Sequence, residues 1–142
     1  RGAPPPPRDR LAVAAVAVGL GRAALEEALT VLRASGDRPG GGVEERPHWV
    51  LADAATELDA ARLLVHQAAA EAVDEARAAL AQVFAAGAAM RAVDAAVRVI
   101  GAAAYRAGST LERLARDARA TQLLLGTEDQ GRAIAAAGLL PG

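Results

Sequence analysis

The sequence predicts an all-α fold, an antiparallel four-helix bundle with a short terminal helix, and three observations carry that expectation. Apolar residues recur at three- and four-residue steps over long stretches, the period of a helix with one buried face. Hydrophobic residues make up 53% of the chain and aromatics only 2%, so the core has to be built from alanine, leucine and valine, which suits helices packed closely together. Proline falls at the N-terminus, in one loop and near the C-terminus, leaving the periodic stretches uninterrupted.

Each element follows in order. Arg1 to Pro7 contains four consecutive prolines, which donate no backbone hydrogen bonds and favour an extended conformation, so residues 1–8 are read as a linker or arm and 9–142 as the bundle. From about Asp9 to Ala34, Leu11, Val18, Leu25 and Leu32 recur with Ala15, Arg22 and Leu29 between them, and this is helix one. Ser35 to Pro47 is rich in glycine and proline and reads as a loop. Leu51, Ala54, Leu58, Ala61, Val65, Ala68 and Ala72 then form one stripe, with Asp53, Glu57 and Arg62 facing away from it. A tight turn is expected over Val73 to Arg77. It is followed by a third helix carrying Leu80, Val83, Met90, Val97 and Ile100 and ended by Gly101. Ser109 with Glu112 has the spacing of a capping box, and Leu111, Leu114, Ala118 and Leu125 mark a fourth helix. Thr127 with Gln130 repeats that pattern before a terminal helix running through Ile134 to a stop at Gly138 to Gly142.

Composition removes several functions. At 142 residues and 14.4 kDa the sequence has the size of one domain. A formal net charge of -1 gives no field to attract nucleic acid or an acidic membrane. Every basic side chain other than the two histidines is arginine, so neither a Schiff-base lysine nor a phosphate-gripping loop lysine exists. With no cysteine there is no disulfide, thiolate nucleophile or thiolate-held metal. No apolar run approaches the roughly 18 residues of a membrane span, and the first residues lack a signal-peptide pattern, so a cytoplasmic location is expected. His48 and His66 are too far apart in sequence to pair on one helix face, and no metal site is expected. Ser35 and Ser109 have no neighbouring histidine to activate them, and Ser109 reads as a helix cap. The Arg38 to Gly42 run is a plain loop without the strand and lysine of a phosphate cradle. In Glu112 to Arg119 the spacing lets Glu112 pair with Arg116 and Arg113 with Asp117, as on an ion-paired, solvated face.

Two signatures go further. The stretch Leu51 to Leu64, LADAATELDAARLL, resembles the acyl-CoA dehydrogenase stretch LADMATELEAARLL. Gly101, Tyr105, Glu112-Arg113-Leu114, Arg116-Asp117-Ala118-Arg119 and Gly126-Thr127-Glu128 follow in the order of that family's GGxGY, ERLxRDAR and EGTxE motifs. Arg10 and the segment Ala14 to Leu20 are similar to the arginine and AAxAxG run that open its C-terminal helical domain. The resemblance covers about residues 8 to 137 and one of the family's three domains.

What the resemblance implies is specific. The domain would pack as a four-helix bundle, make homo- or hetero-oligomer contacts, and hold FAD and an acyl-CoA, or another acyl thioester, against two further domains. An FAD site complete within these residues is not expected. In typical members the glutamate of EGT takes the α-proton of the thioester while hydride passes from the β-carbon to the flavin, which needs an ionisable side chain within reach. Leu125 stands at that position and cannot accept a proton. Glu128 matches another acidic position of the motif but lies three residues on. In members resembling isovaleryl-CoA dehydrogenase the base immediately precedes the helix-one arginine, and Asp9 precedes Arg10 here; the other reading of Asp9 is an N-cap or helix-dipole partner. By the same resemblance Arg10 and Leu125 belong to the substrate side. Arg33, Arg98, Gly101 and Thr127 belong to the cofactor side, with Arg98 where the family has glutamine and Gly101-Ala102 where it has paired glycines. A non-catalytic helical module pairing with an active dehydrogenase is the rival expectation.

Overall fold

The computed structural model describes residues 5–36, 46–70 and 73–140. The arm residues 1–4, the Arg38 to Gly42 run, Ala72 and the last two residues of the expected stop lie outside them. The helices are α1 (Pro7–Ser35), α2 (Arg46–Ala70), α3 (Glu75–Ile100), α4 (Thr110–Thr121) and α5 (Glu128–Leu139), with a short 3-10 segment at Gly101–Tyr105. No strand occurs among the described residues.

Helix α1 starts two residues earlier than the periodicity suggests. Pro7 sits at its first position, where the fixed φ of proline suits a helix and the missing N–H would be unpaired anyway. It ends at Gly36 in the left-handed conformation, whose N–H donates back to the Arg33 and Leu32 carbonyls. The expected turn at Val73 to Arg77 is shorter than read: Asp74 is already the N-cap of α3 and accepts from the Arg77 N–H at 3.1 Å.

Helices α1 and α3 run parallel: Arg10 meets Gln82, Gly21 meets Ala89, and Val31 lies beside Ile100. Helix α2 runs antiparallel to both, as the Arg22–Asp59 and Arg91–Glu57 ion pairs and the groove joining Val50 to Arg98 require. Helix α4 returns beside α3, bringing Thr121 to Gln82. The result is the up-down-up-down bundle, with α5 laid on α3.

Helix α3 packs against every other helix, and among the described residues α2 and α4 make no close backbone approach. The parallel pair α1 and α3 therefore fills the middle of the bundle, a diagonal approach that only small side chains allow. Ala14, Ala17, Ala24 and Ala28 of α1 face Ala85, Ala88, Ala89, Ala92 and Ala96 of α3 in one buried cluster. This corrects the expected core of α3. Val83, Met90, Val97 and Ile100 are half-buried and Leu80 is exposed, while alanines take the fully buried positions. The stripes of α1 and α2 behave as read at Leu11, Val18, Leu25, Leu51, Ala54, Leu58, Ala61 and Ala68, all buried.

Candidate functional site

The chemistry implied for this domain centres on the turn between α4 and α5. Helix α4 stops at Thr121, whose hydroxyl donates to the Ala118 carbonyl at 2.7 Å. Leu123 and Leu124 N–H groups both donate to the Ala120 carbonyl at 3.0 Å, a tightening that closes the helix. Leu125 was expected on the fourth helix and is instead in this turn, half-buried, with φ 66. It is the one non-glycine residue with positive φ among those described, and for an L-residue that conformation costs roughly 1–2 kcal/mol. Gly126 follows at φ 116, and a Cβ there would lie 2.8 Å from Gln130 Oε1. The Thr127–Gln130 capping box then starts α5: Thr127 Oγ1 accepts from the Gln130 N–H at 3.3 Å, and Gln130 Oε1 accepts from the Thr127 N–H at 2.9 Å.

A buried polar chain reaches this turn from across the bundle. Arg10 is 3% exposed although it is charged. Its Nη1 donates to Gln82 Oε1 at 2.7 Å, and Gln82 Nε2 donates to the Leu124 carbonyl at 2.9 Å. Arg10 Nε has no hydrogen-bond partner among the described residues. Sequence reasoning placed Arg10 here and missed Gln82. The signal was available: Gln82 is an amide on an α3 face otherwise made of Ala78, Ala79, Ala81, Ala85, Ala86 and Ala89, and a buried amide needs partners.

The two carboxylates that the motifs single out, Glu128 and Asp9, differ in their surroundings. Glu128 lines a cavity of about 10 Å³ together with Gln82, Thr121 and Thr127, space for about one water. Its Oε1 is held by Arg132 Nη2 at 2.6 Å. Asp9 is exposed in the first turn of α1, where a carboxylate complements the helix dipole. The N-cap position belongs to Pro6, so Asp9 is not the cap.

The remaining candidates sit at the opposite end. Arg33 is near the C-terminus of α1, 23 residues from Arg10, which at 1.5 Å per residue is roughly 35 Å. Its guanidinium is exposed and faces Glu26 at 3.9 Å. Arg98 lies in the last turn of α3 and borders an open groove of about 260 Å³ shared with Asp53, Glu57, Arg91 and Asp94. Gly101 has φ 69 and joins α3 to the 3-10 segment, with open space where a Cβ would be. The structure thus brings Arg10, Leu125 and Thr127 to one end and Arg33, Arg98 and Gly101 to the other.

Ser109 caps α4, accepting from the Glu112 N–H at 3.1 Å, and Glu112 Oε2 accepts from the Gly108 N–H at 3.2 Å rather than from Ser109 itself. Glu112 also pairs with Arg116 at 3.4 Å, whereas the expected Arg113–Asp117 pair is not formed. Among the described residues no group of His, Asp and Glu could hold a metal ion, and no helix is long and apolar enough to cross a membrane.

The residues assigned by motif to the cofactor side, Arg33, Arg98, Gly101 and Thr127, are spread over both ends of the bundle. They offer two exposed guanidiniums, one of them over a groove with three carboxylates, and a threonine hydroxyl already used as a cap.

Element order and packing define an all-α domain, a four-helix bundle with a fifth helix laid on α3. Residues 7–140 match the family model for the acyl-CoA dehydrogenase C-terminal domain; the chain belongs to the acyl-CoA dehydrogenase family, whose members are FAD-dependent and oligomeric. It is 33% identical over 124 residues to a 3-sulfinopropanoyl-CoA desulfinase of Cupriavidus necator, covering 84% of this chain and 31% of that protein. It superposes on glutaryl-coenzyme A dehydrogenase in its glutaryl-CoA complex with a TM-score of 0.83 and 28% identity, over 94% of this chain and 35% of that one. For butyryl-CoA dehydrogenase from Megasphaera elsdenii the TM-score is 0.79 and the identity 31%, over 92% and 35%. The chain therefore spans about a third of the length of these relatives.

Proposed function

We propose that this domain works as one wall of an acyl-thioester and FAD pocket that it shares with the family's other domains, and that it does not supply the base that removes an α-proton. The observation that carries this reading is Leu125. An apolar side chain occupies the turn position that corresponds, by motif, to the family's glutamate, and it is held in a left-handed backbone conformation. The pairing of Glu128 with Arg132 and the position of Asp9, exposed in the first turn of α1, support the same reading. The end bearing Arg33 and Arg98 would meet the phosphates and adenine of FAD, as the motif correspondence implies, and the Arg10 end would face the acyl chain.

Two kinds of protein fit such a site. One performs a reaction on an acyl thioester that requires no α-proton abstraction at this turn. The similarity to proteins named for removing a sulfinate from 3-sulfinopropanoyl-CoA supports it, because that bond lies at the β-substituent. The other is an assembly subunit paired with an active dehydrogenase, which the loss of the family's glutamine at Arg98 and of its second glycine at Ala102 supports.

The test is a gain of function. The full chain is combined with FAD and a polypeptide carrying the two other family domains, and bleaching of the flavin band by acyl-CoA is followed. Wild type should bind flavin without being reduced, and Leu125→Glu should restore reduction. Rapid reduction by the wild type that is abolished in Asp9→Ala would assign the base to Asp9 and overturn the reading.

A further inference from the structure

The Leu124–Gly126 turn carries two consecutive positive-φ residues, Leu125 at φ 66 and Gly126 at φ 116. The capping box holds its α5 side, and the Leu123 and Leu124 N–H groups hold its α4 side. A hydrogen bond joins the turn to α3: Gln82 Nε2 donates to the Leu124 carbonyl at 2.9 Å. That contact depends on which way the Gln82 amide points. An amide has one accepting and one donating end, and a guanidinium can only donate. With Arg10 Nη1 at 2.7 Å, the accepting Oε1 must face Arg10, which leaves Nε2 to face the turn. Reversing the amide would set an NH2 against a buried cation and a carbonyl oxygen against a carbonyl oxygen.

We propose that Gln82 is a positioning residue, oriented by the buried Arg10, whose donation to the Leu124 carbonyl holds Leu125 in its left-handed conformation at the acyl-pocket turn. The significance of the turn rests on the functional reading above; the relay itself does not. Gln82 acts through Leu124 and touches no reacting group. The Arg10–Gln82 bond is buried and the Gln82–Leu124 bond partly so, which strengthens both electrostatically.

Glutamate at position 82 separates this role from ordinary core packing. It has nearly the same shape, accepts from Arg10 at least as well, and stays ionised beside that cation near neutral pH, but it cannot donate to Leu124. The experiment uses the full chain alone, without flavin or thioester, so its outcome is independent of the pocket assignment. Backbone chemical shifts of Leu125 and amide hydrogen exchange across the chain are measured by NMR for wild type, Gln82→Glu and Gln82→Met. In Gln82→Glu the Leu125 shifts should leave the positive-φ range and exchange at Leu123 to Gly126 should rise about fivefold to tenfold, the scale of one hydrogen bond. Amides of α1 and α3 should keep their protection in that variant. Gln82→Met loses both bonds, and the turn should loosen at least as much. Unchanged Leu125 shifts in Gln82→Glu would overturn the proposal, as would a uniform loss of protection in both variants, which is what a purely structural core residue gives.

Discussion

Two glycines of α1, two residues apart, should respond to the same substitution with opposite sign. A glycine in a helix interior costs about 0.5–1 kcal/mol relative to alanine, so Gly→Ala stabilises wherever a methyl fits. At Gly19 nothing lies within 4 Å of an added Cβ, and the full gain should appear, raising Tm by roughly 2–4 °C for a chain of this size. At Gly21 the Cβ would stand 2.6 Å from Leu58 Cδ2 and 3.1 Å from the Ala89 Cα. Ordinary carbon contacts fall at about 3.5–4.0 Å, so the intrusion is roughly 1 Å on the first atom. Leu58 is 1% exposed, and the second contact is backbone, which cannot turn aside. Overpacking of this kind costs about 1–3 kcal/mol. After the propensity gain, Gly21→Ala should still destabilise by about 1 kcal/mol. Urea denaturation followed by far-UV circular dichroism measures both variants, and Leu58→Val should relieve the Gly21→Ala loss in a double mutant while leaving Gly19→Ala unaffected. Equal stabilisation by the two alanines would refute the close approach of α1, α2 and α3 on which the alanine-built core depends.

Further outcomes follow from the same geometry. Ser109→Ala removes the cap that accepts from the Glu112 N–H and should cost about 1 kcal/mol by chemical denaturation, with Ser109→Asp recovering most of it. Gly138→Val places atoms against Ala76, whose Cβ would already lie 2.3 Å from an alanine methyl at that position; α5 should detach from α3, seen as protease cleavage within residues 128–139 while the α1 to α4 core stays protected. Arg91→Ala and Glu57→Ala break an ion pair that is half solvent-exposed, and a double-mutant cycle should return a coupling below about 1 kcal/mol that shrinks further in high salt.

The helices were legible because periodicity records burial, and the two N-caps because Ser109 and Thr127 satisfy backbone donors by a mechanism written in local sequence. The core of α3 was not. A rule that looks for large apolar side chains picks out Leu80, Met90 and Ile100. Where α1 and α3 share the centre of the bundle, however, the space between backbones admits only methyl groups, so the large residues are displaced to the margins. Alanine carries too little hydrophobicity to stand out from a helix's exposed alanines, and its burial is decided by which helix lies opposite. Leu125 illustrates the same limit at the site. A leucine following Leu123 and Leu124 extends the fourth helix's apolar pattern, whereas the chain reverses there because Gly126 and the Thr127 cap require it.

Gln82 shows what joins fold to site. A buried amide in an alanine helix costs free energy unless both its ends are paired, and its partners lie 72 positions upstream and 42 positions downstream. No local pattern announces such a triangle, because it exists only once α1, α3 and the α4–α5 turn have assembled. The alanine seam brings α1 close enough to α3 for Arg10 to reach the amide, and the amide then fixes the turn that carries Leu125. Substitutions that widen the seam should therefore disturb Leu125 from a distance: Gly21→Ala, 11 residues along α1 from Arg10, should shift the Leu125 backbone resonances, whereas Gly19→Ala should not. Silence at Leu125 in both variants would mean that the turn is fixed by its own caps and owes nothing to the bundle behind it.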